Sequence, residues 1–400
     1  MVRTLLFSTL YPSASNPLRG VFVETRLREL LRTSQVQTKV VAPVPWVPRL
    51  LAGHGRARAL ASQAARREQH NGIDVLHPRY LVLPKVGMNI APLLLAAGAR
   101  PAVAQLLDEG FDFDVIDAHY YYPDGVAAAL LAAHFGKPLA VTARGTDVNL
   151  IPEHALPRRW LRWASTRAAA SIGVSQALVE RMRALSFDPA RLHVLRNGVD
   201  LERFQPQPAA QAREALGIRG APVLLTVGNL HEHKGQHLAI DALALLRARF
   251  PGACLLVVGT GPDDKALRAQ AERAALGEDA VRFVGAVPNA QLARWYSAAD
   301  VLLLCSSREG WPNVLLEAMA CGTPVVASAV GGVGEIVSSP VAGRMVVERS
   351  APAFASAVAD LLARPVDRGG VRAHAEQFGW DGTSRGQVAL FEAIRAQVPA

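Results

Sequence analysis

Short apolar runs alternate with longer amphipathic stretches along almost the whole of this 400-residue chain, and that alternation restricts it to parallel sheets covered on both faces. In the first half, strands are expected at LLFSTL, TKVVAP, DVLHPRYL, FDVIDA, LAVTAR and ASIGVS, separated by helices such as GVFVETRLRELLRT and GVAAALLAAHFG. A second series follows RNGVDLERFQPQPAA. Its strands are VLLTVG, CLLVVG, VRFVG, VLLLC and PVVAS, and its helices HLAIDALALLRARF, DDKALRAQAERAAL, NAQLARWYSAA and NVLLEAMA. The proline and glutamine of FQPQPAAQ mark a hinge near residue 205. The fold class is therefore α/β with two doubly wound, Rossmann-like domains. The first spans residues 1–203, the second 204–379, and 380–400 forms a final helix.

A length of 400 residues exceeds a usual single core, in keeping with two domains. The opening MVRTLLFSTLYP has one arginine and no small-residue cleavage site, so it reads as a strand, not a secretory signal. LLLAAGARPAVAQLL is interrupted by Arg100, and no run is expected to reach the roughly 18 apolar residues of a spanning helix. The expected location is the cytoplasm. Cys254, Cys305 and Cys321 fit neither a disulfide framework nor a zinc site.

The net charge of +9 points to anionic partners. No basic stripe interleaved with aromatics and no standard recognition motif is present, so nucleic acid is not expected. An anionic membrane surface at the inner face of the plasma membrane fits better. Arg26, Arg28 and Arg32 fall on one expected helix, Arg56, Arg58, Arg66 and Arg67 on another, and Arg158, Arg159 and Arg162 beside Trp160 and Trp163 on a third. A merely solvated basic face is an equal alternative.

The segment EGWPNVLLEAMACGTPVVAS carries the chemistry. VLLLC before it reads as a buried strand, Pro312 suits the first helical position, and Gly322 sits where a helix stops. Glu309 then lies on the loop and Glu317 inside the helix. The rise from Pro312 to Glu317 is roughly 7–8 Å, too far for both carboxylates to work one bond. They suit two ends of one elongated ligand. The first amides of the helix, at Asn313 and Val314, carry no intrahelical acceptor and favour phosphate. Hydroxyls at both ends and phosphates in the middle describe a nucleotide-diphosphate sugar.

Together with NPLRGVFVETRLREL, VIDAHYYYPDG, TARGTDVN, RNGVDLERF and TVGNLHEHKG, in that order, this segment resembles the retaining glycosyltransferases of family 4, which have the GT-B fold. The first half is most similar to bacterial surface-polysaccharide enzymes of the teichuronic-acid type. The resemblance implies two domains facing across a cleft, with the last helix crossing back to the first, acceptor-binding domain. It implies that Lys234 meets the diphosphate, Glu317 the ribose, Glu309 the far hydroxyls of the donor sugar, and His119 the transferred sugar. Gly20, Asn229 and Val284 join the donor set, Val284 through backbone groups of VRFVG offered to the base. Arg144 and Asp147 are candidates to face the acceptor, with a loop-holding turn residue an equal alternative for Asp147. The family usually has arginine where this chain has Asn229, a departure in the diphosphate clamp. No resident cofactor is implied. The donor is UDP- or GDP-linked, and the leaving diphosphate itself helps to deprotonate a glycan or lipid-linked acceptor on the same face. The catalytic set so implied is His119, Lys234 and Glu309.

Three other patterns are weaker. GTGPD at Gly259 lacks the third glycine of a dinucleotide fingerprint, which argues against an oxidoreductase. His231, Glu232 and His233 have no metal-site spacing and are expected in a loop, and Asp263-Asp264 starts a helix, so metal dependence is not implied. Two rival readings share the fold: a sugar-nucleotide 2-epimerase, and a non-catalytic binding module. The Glu309/Glu317 segment with Lys234 argues against the first, and the joint presence of both glutamates, Lys234 and His119 against the second.

Overall fold

The computed structural model describes residues 1–47, 64–83 and 87–397, and the chain divides into two compact units. Unit 1 comprises Met1–Arg196 and Asp381–Ala400, and unit 2 Asn197–Trp380. The boundary falls earlier than the proline-containing hinge because the intervening segment is already bound to unit 2. There Val199 donates its amide to the Phe378 carbonyl at 2.9 Å, and the Arg372 guanidinium reaches the Leu201 and Phe204 carbonyls.

Unit 1 contains β1 (Val2–Phe7), β2 (Val36–Val41), β3 (Val44–Trp46), β4 (Arg67–His70), β5 (Ile73–Leu76), β6 (Arg79–Leu81), β7 (Val115–His119), β8 (Leu139–Ala143), β9 (Ala170–Gly173) and β10 (Leu192–Val194). Its main sheet has the order β10-β9-β8-β7-β1-β2-β5-β4, parallel throughout except for the β4–β5 hairpin; β3 and β6 form a separate parallel pair. The central strands β7 and β8 are buried at every residue, as continuous apolar runs covered on both faces must be. The hairpin takes the place of the expected helix carrying Arg66 and Arg67. Asn71 (φ 50°) and Gly72 (φ 78°) form its turn, so Arg67 lies on a strand, not on a basic helix. It is spent on Asp74 and Glu109, at 2.8 and 2.7 Å.

The helix Gly87–Asp108 buries Leu95, Ala99, Ala102, Val103 and Leu106 at helical spacing and exposes Arg100. Its best 18-residue window has a mean hydropathy of 1.5, so by length and composition it could cross a membrane, contrary to the expectation from Arg100. In the fold it packs on β6 and on the helix Val126–Phe135. The last helix, Trp380–Ala396, belongs to unit 1 from Asp381 onward and contributes Val388, Phe391 and Ile394 to a core with Val2, Leu30 and Val115.

Unit 2 contains β11 (Val223–Val227), β12 (Cys254–Val258), β13 (Val281–Gly285), β14 (Val301–Leu304), β15 (Val325–Ser328) and β16 (Gly343–Val346). They form one parallel sheet of order β13-β12-β11-β14-β15-β16. The strand β16 and the helices Ala351–Leu362 and Arg368–Glu376 complete the layers beyond the elements legible in sequence. Helices Gln236–Leu246, Asp264–Arg273 and Ala351–Leu362 pack together in one layer. Ala209–Ala215, Leu292–Ala298, Asn313–Ala320 and Arg368–Glu376 form the other. Strand order reverses between β1 and β7 in unit 1 and between β11 and β14 in unit 2, the places where open parallel sheets hold ligands beyond their carboxyl ends.

Candidate active site

In unit 2 the reversal point joins the loops after β11 and β14. The first of these carries Asn229 and a short turn, Glu232–Lys234; the second carries Glu309. Lys234 Nζ lies 2.7 Å from Glu309 Oε1. Two glycines bring these loops together. Gly235 holds φ 74°, and a Cβ there would stand 2.0 Å from the Cys305 carbonyl oxygen at the end of β14. Gly331 holds φ 52°, and a Cβ would stand 1.9 Å from the Glu309 carbonyl oxygen. A side chain at either position would push the Lys234 turn or the Glu309 loop out of place.

The helix after Glu309 runs Asn313–Ala320, and Pro312 is its N-cap with an extended ψ of 91°, one position before the place expected for it. Proline offers no capping oxygen, so the amides of Asn313 and Val314 open a helix that no side chain caps. Gly322, with φ 76°, follows the C-cap Cys321, as a helix stop requires. Glu317 faces inward, and its Oε2 accepts the Tyr296 hydroxyl at 2.7 Å. Burial pushes the Glu317 carboxyl up to about 7, against smaller opposing effects of the Tyr296 hydrogen bond and the Arg203 charge. Asn229 is exposed, and its carbonyl accepts the Gln236 side chain at 3.1 Å. Val284 lies on β13 and is partly buried.

In unit 1 the reversal point joins the loop after β1 to the end of β7. Gly20 is the N-cap of the helix Val21–Leu31, against the Leu10 carbonyl, and Arg19 donates Nε to the Thr9 carbonyl at 2.8 Å. His119 ends β7 and is 1% exposed. Its Nε2 lies 3.2 Å from Asp117 Oδ2, and Arg144 Nη2 lies 2.5 Å from its Nδ1. An arginine can only donate, so Nδ1 accepts and Nε2–H points to Asp117. Burial lowers the ring to about 4, opposed by Asp117 and reinforced by Arg144, so His119 is neutral at pH 7. Both of its nitrogens are engaged, and contact with a sugar requires Arg144 to release Nδ1. Asp147 is fully buried and accepts the amides of Tyr121, Gly145 and Arg144 at 2.6, 2.7 and 3.1 Å. In this structure its carboxylate holds the loop on which Arg144 sits.

Arg26 is 1% exposed and does not belong to a basic face. Its Nε donates to Gln387 Oε1 at 2.9 Å and its Nη1 to the Leu195 carbonyl at 2.9 Å. Gln387 in turn donates to Asp117 Oδ2 at 3.0 Å. Arg28 on the same helix and Arg32 at its C-cap are exposed, with Arg32 paired to Glu29. Of the second expected basic group, Arg56 and Arg58 lie outside the described residues. Arg158, Arg159 and Arg162 are exposed on the helix Ala155–Arg167, with Trp160 and Trp163 half-buried beside them.

Comparison with known proteins matches residues 79–203 to the family described as Glycosyltransferase Family 4 and 209–378 to that described as Glycosyl transferases group 1. A protein of Geodermatophilus obscurus named D-inositol 3-phosphate glycosyltransferase is 39% identical, over 83% of this chain and 78% of its own length. One of the same name from Acidothermus cellulolyticus is 30% identical over 89% of this chain and 93% of its own. The chain is a family 4 glycosyltransferase. Among solved structures, sucrose-phosphate synthase from Thermosynechococcus elongatus aligns over all of both chains (TM-score 0.78, 20% identity). Anabaena Alr3699/HepE in complex with UDP aligns over 98% of this chain and 100% of its own (TM-score 0.72, 22% identity). At those identities the likeness shows the fold, GT-B.

Three further residues join these networks, of which only Asp124, within VIDAHYYYPDG, had a sequence signal. Asp124 is fully buried, accepts the Thr9 amide at 2.7 Å and hydroxyls of Thr9 and Ser8, and is pushed up to about 7 by burial despite those bonds. It ties the loop after β1 to the end of β7. Tyr296 orients Glu317, and Gln387 reaches the His119 network from 270 residues away in sequence. An aromatic in a short helix or a glutamine in a final helix is ordinary until its partner is known.

Proposed function

We propose that this transferase moves a hexosyl unit from a nucleotide-diphosphate sugar to an acceptor hydroxyl with retention at the anomeric carbon and without a divalent metal. The observation that carries this is the grouping at the unit 2 reversal point: the Lys234–Glu309 pair at 2.7 Å beside a helix start that no side chain caps, with Glu317 one turn further in. On this reading the diphosphate takes Lys234 from Glu309 and rests on the Asn313 and Val314 amides. The freed Glu309 carboxylate accepts hydroxyls of the donor sugar, and Glu317 accepts those of the ribose. The protein supplies position and stabilises leaving-group charge, while the diphosphate oxygen takes the acceptor proton. In unit 1, His119 is assigned to the transferred sugar, Arg144 and Asp147 to the acceptor and Gly20 to the donor. UDP is the favoured nucleotide, since HepE of the same fold was solved with UDP, with UDP and glucose, and with UDP-glucose.

The acceptor on this reading is a glycan or lipid-linked intermediate of surface or exopolysaccharide synthesis, of the teichuronic-acid type. The chain works in the cytoplasm against the inner face of the plasma membrane, with the exposed arginines of Ala155–Arg167 towards the lipid. A second acceptor, D-inositol 3-phosphate, is favoured by the names of the relatives, and Arg19 beside Ser13, Ser15 and Asn16 offers a cation and hydroxyls for a phosphorylated polyol. Calorimetry with UDP tests the donor site. Wild type should bind it, Glu317→Ala and Lys234→Ala should weaken binding at least tenfold, and equal binding by all three would overturn the assignment. Transfer assays with the two acceptor classes then choose between them.

A further inference from the structure

The turn that presents Lys234 has a second side. An open pocket of about 490 Å³ lies against it, lined by His231, His233 and His237 together with Arg308 and Arg349. His237 sits in the first turn of the helix Gln236–Leu246, whose N-cap, Gly235, provides no side-chain cap. That helix belongs to the opposite layer of the sheet from Asn313–Ala320, so this pocket and the proposed donor site occupy different sides of the same loops. We propose that it binds a small phosphate-bearing anion, at a site separate from that of the sugar donor.

The chemistry of the lining supports this. Two guanidiniums and three imidazoles converge with the positive end of an 11-residue helix, the combination that favours phosphate oxygens. The Arg308 Nε is shielded from solvent and has no hydrogen-bond partner among the described residues. Arg349 is fixed by its Nε, which donates to the Cys305 carbonyl at 2.8 Å and leaves its terminal nitrogens as the donors for a ligand. The rings of His231 and His233 stack at 5.6 Å between centroids. The acids facing the group are Glu232 and Asp263 in the pocket wall, with Asp241 acting on His237 and Glu309 on His233. Burial, followed by the charges of Arg308 and Lys234 for His233 and of Arg349 for His237, holds both imidazoles below their usual range. A bound anion favours their protonated form, so affinity rises as pH falls towards 5.5.

Titration calorimetry of the full chain with inorganic pyrophosphate, with and without saturating UDP, tests this. The expected result is saturable binding that persists with UDP present, tightens about tenfold per histidine fully protonated between pH 8 and 5.5, and weakens at least tenfold in Arg308→Gln and in His237→Ala. His237→Ala leaves the structural Arg349 contact intact, and unchanged thermal unfolding of each variant shows that it folds. No binding, binding abolished by UDP, or binding indifferent to both substitutions overturns the proposal. If UDP itself fails to bind, the donor reading fails, while the response to Arg308→Gln and His237→Ala still decides this one.

Discussion

Replacing Glu317 by glutamine should make unit 2 more stable at pH 8 and change little at pH 4. The Glu317 carboxyl is raised from 4.5 to about 7 chiefly by burial, so the folded state opposes its ionisation. The sign follows: stability from the protonated form is fully present below about 4.5 and is lost as pH rises through about 7. Taken whole, that difference is worth about 3 kcal/mol. Partial access of Glu317 to water reduces it to about 1–2 kcal/mol, an increase in Tm of about 3–6 °C for a unit of this size. Glu317→Gln keeps an oxygen to accept the Tyr296 hydroxyl, so the comparison isolates charge. Thermal unfolding of both proteins at pH 4, 6 and 8 reads the effect. A Tm difference that is the same at all three pH values, or one that favours wild type at pH 8, would refute the burial argument.

Lys234→Ala should lower kcat/KM by about 10–100-fold, the loss of a charge-assisted bond, whereas Asn229→Ala should cost little; steady-state kinetics with near-normal turnover in Lys234→Ala would move the phosphate contact to other cations. Asn229→Arg should keep or tighten donor binding by calorimetry, and a collapse would mean that this chain has rebuilt its phosphate site. Activity should survive EDTA; complete loss restored by magnesium or manganese contradicts the proposed metal independence. Sedimentation with anionic vesicles should retain the protein at low salt and release it as salt rises through the range that shortens the Debye length. Arg158→Ala with Arg159→Ala should weaken that retention, and equal binding to neutral vesicles would return these arginines to a solvated role.

What could be read from the sequence was set by chain-local physics. The parallel strands and their intervening helices are written as apolar periodicity; His119 ends a strand, and Glu309 and Lys234 lie on loops that follow strands, at points where strand order reverses. The Asn71-Gly72 hairpin is equally local, but Arg66 and Arg67 before it read as part of a basic helix, and the run DVLHPRYL, which reads as one strand, is broken into β5 and β6. Arg26 misled for another reason. A charged residue on an amphipathic helix reads as exposed, and only partners far away in sequence, Gln387 and the Leu195 carbonyl among them, show that its guanidinium is paired inside. The same limit hid Tyr296 behind Glu317 and Gly331 behind Glu309, since each acts through a contact that periodicity does not encode. The Lys234–Glu309 pair lies between these cases. Both residues are legible in the sequence as candidates for a donor site, but their mutual 2.7 Å approach is not.

The central claim is group transfer from a nucleotide-diphosphate sugar with retention, and proton NMR of the reaction tests it most directly. The full chain is incubated with UDP- and GDP-linked hexoses, with and without acceptor, while the anomeric signals and the free nucleotide are followed. The account predicts nucleoside diphosphate release from one donor, faster with acceptor, and a product whose anomeric configuration matches that of the donor. An epimerised sugar, an inverted product, or tight donor binding without any release of nucleotide would contradict it.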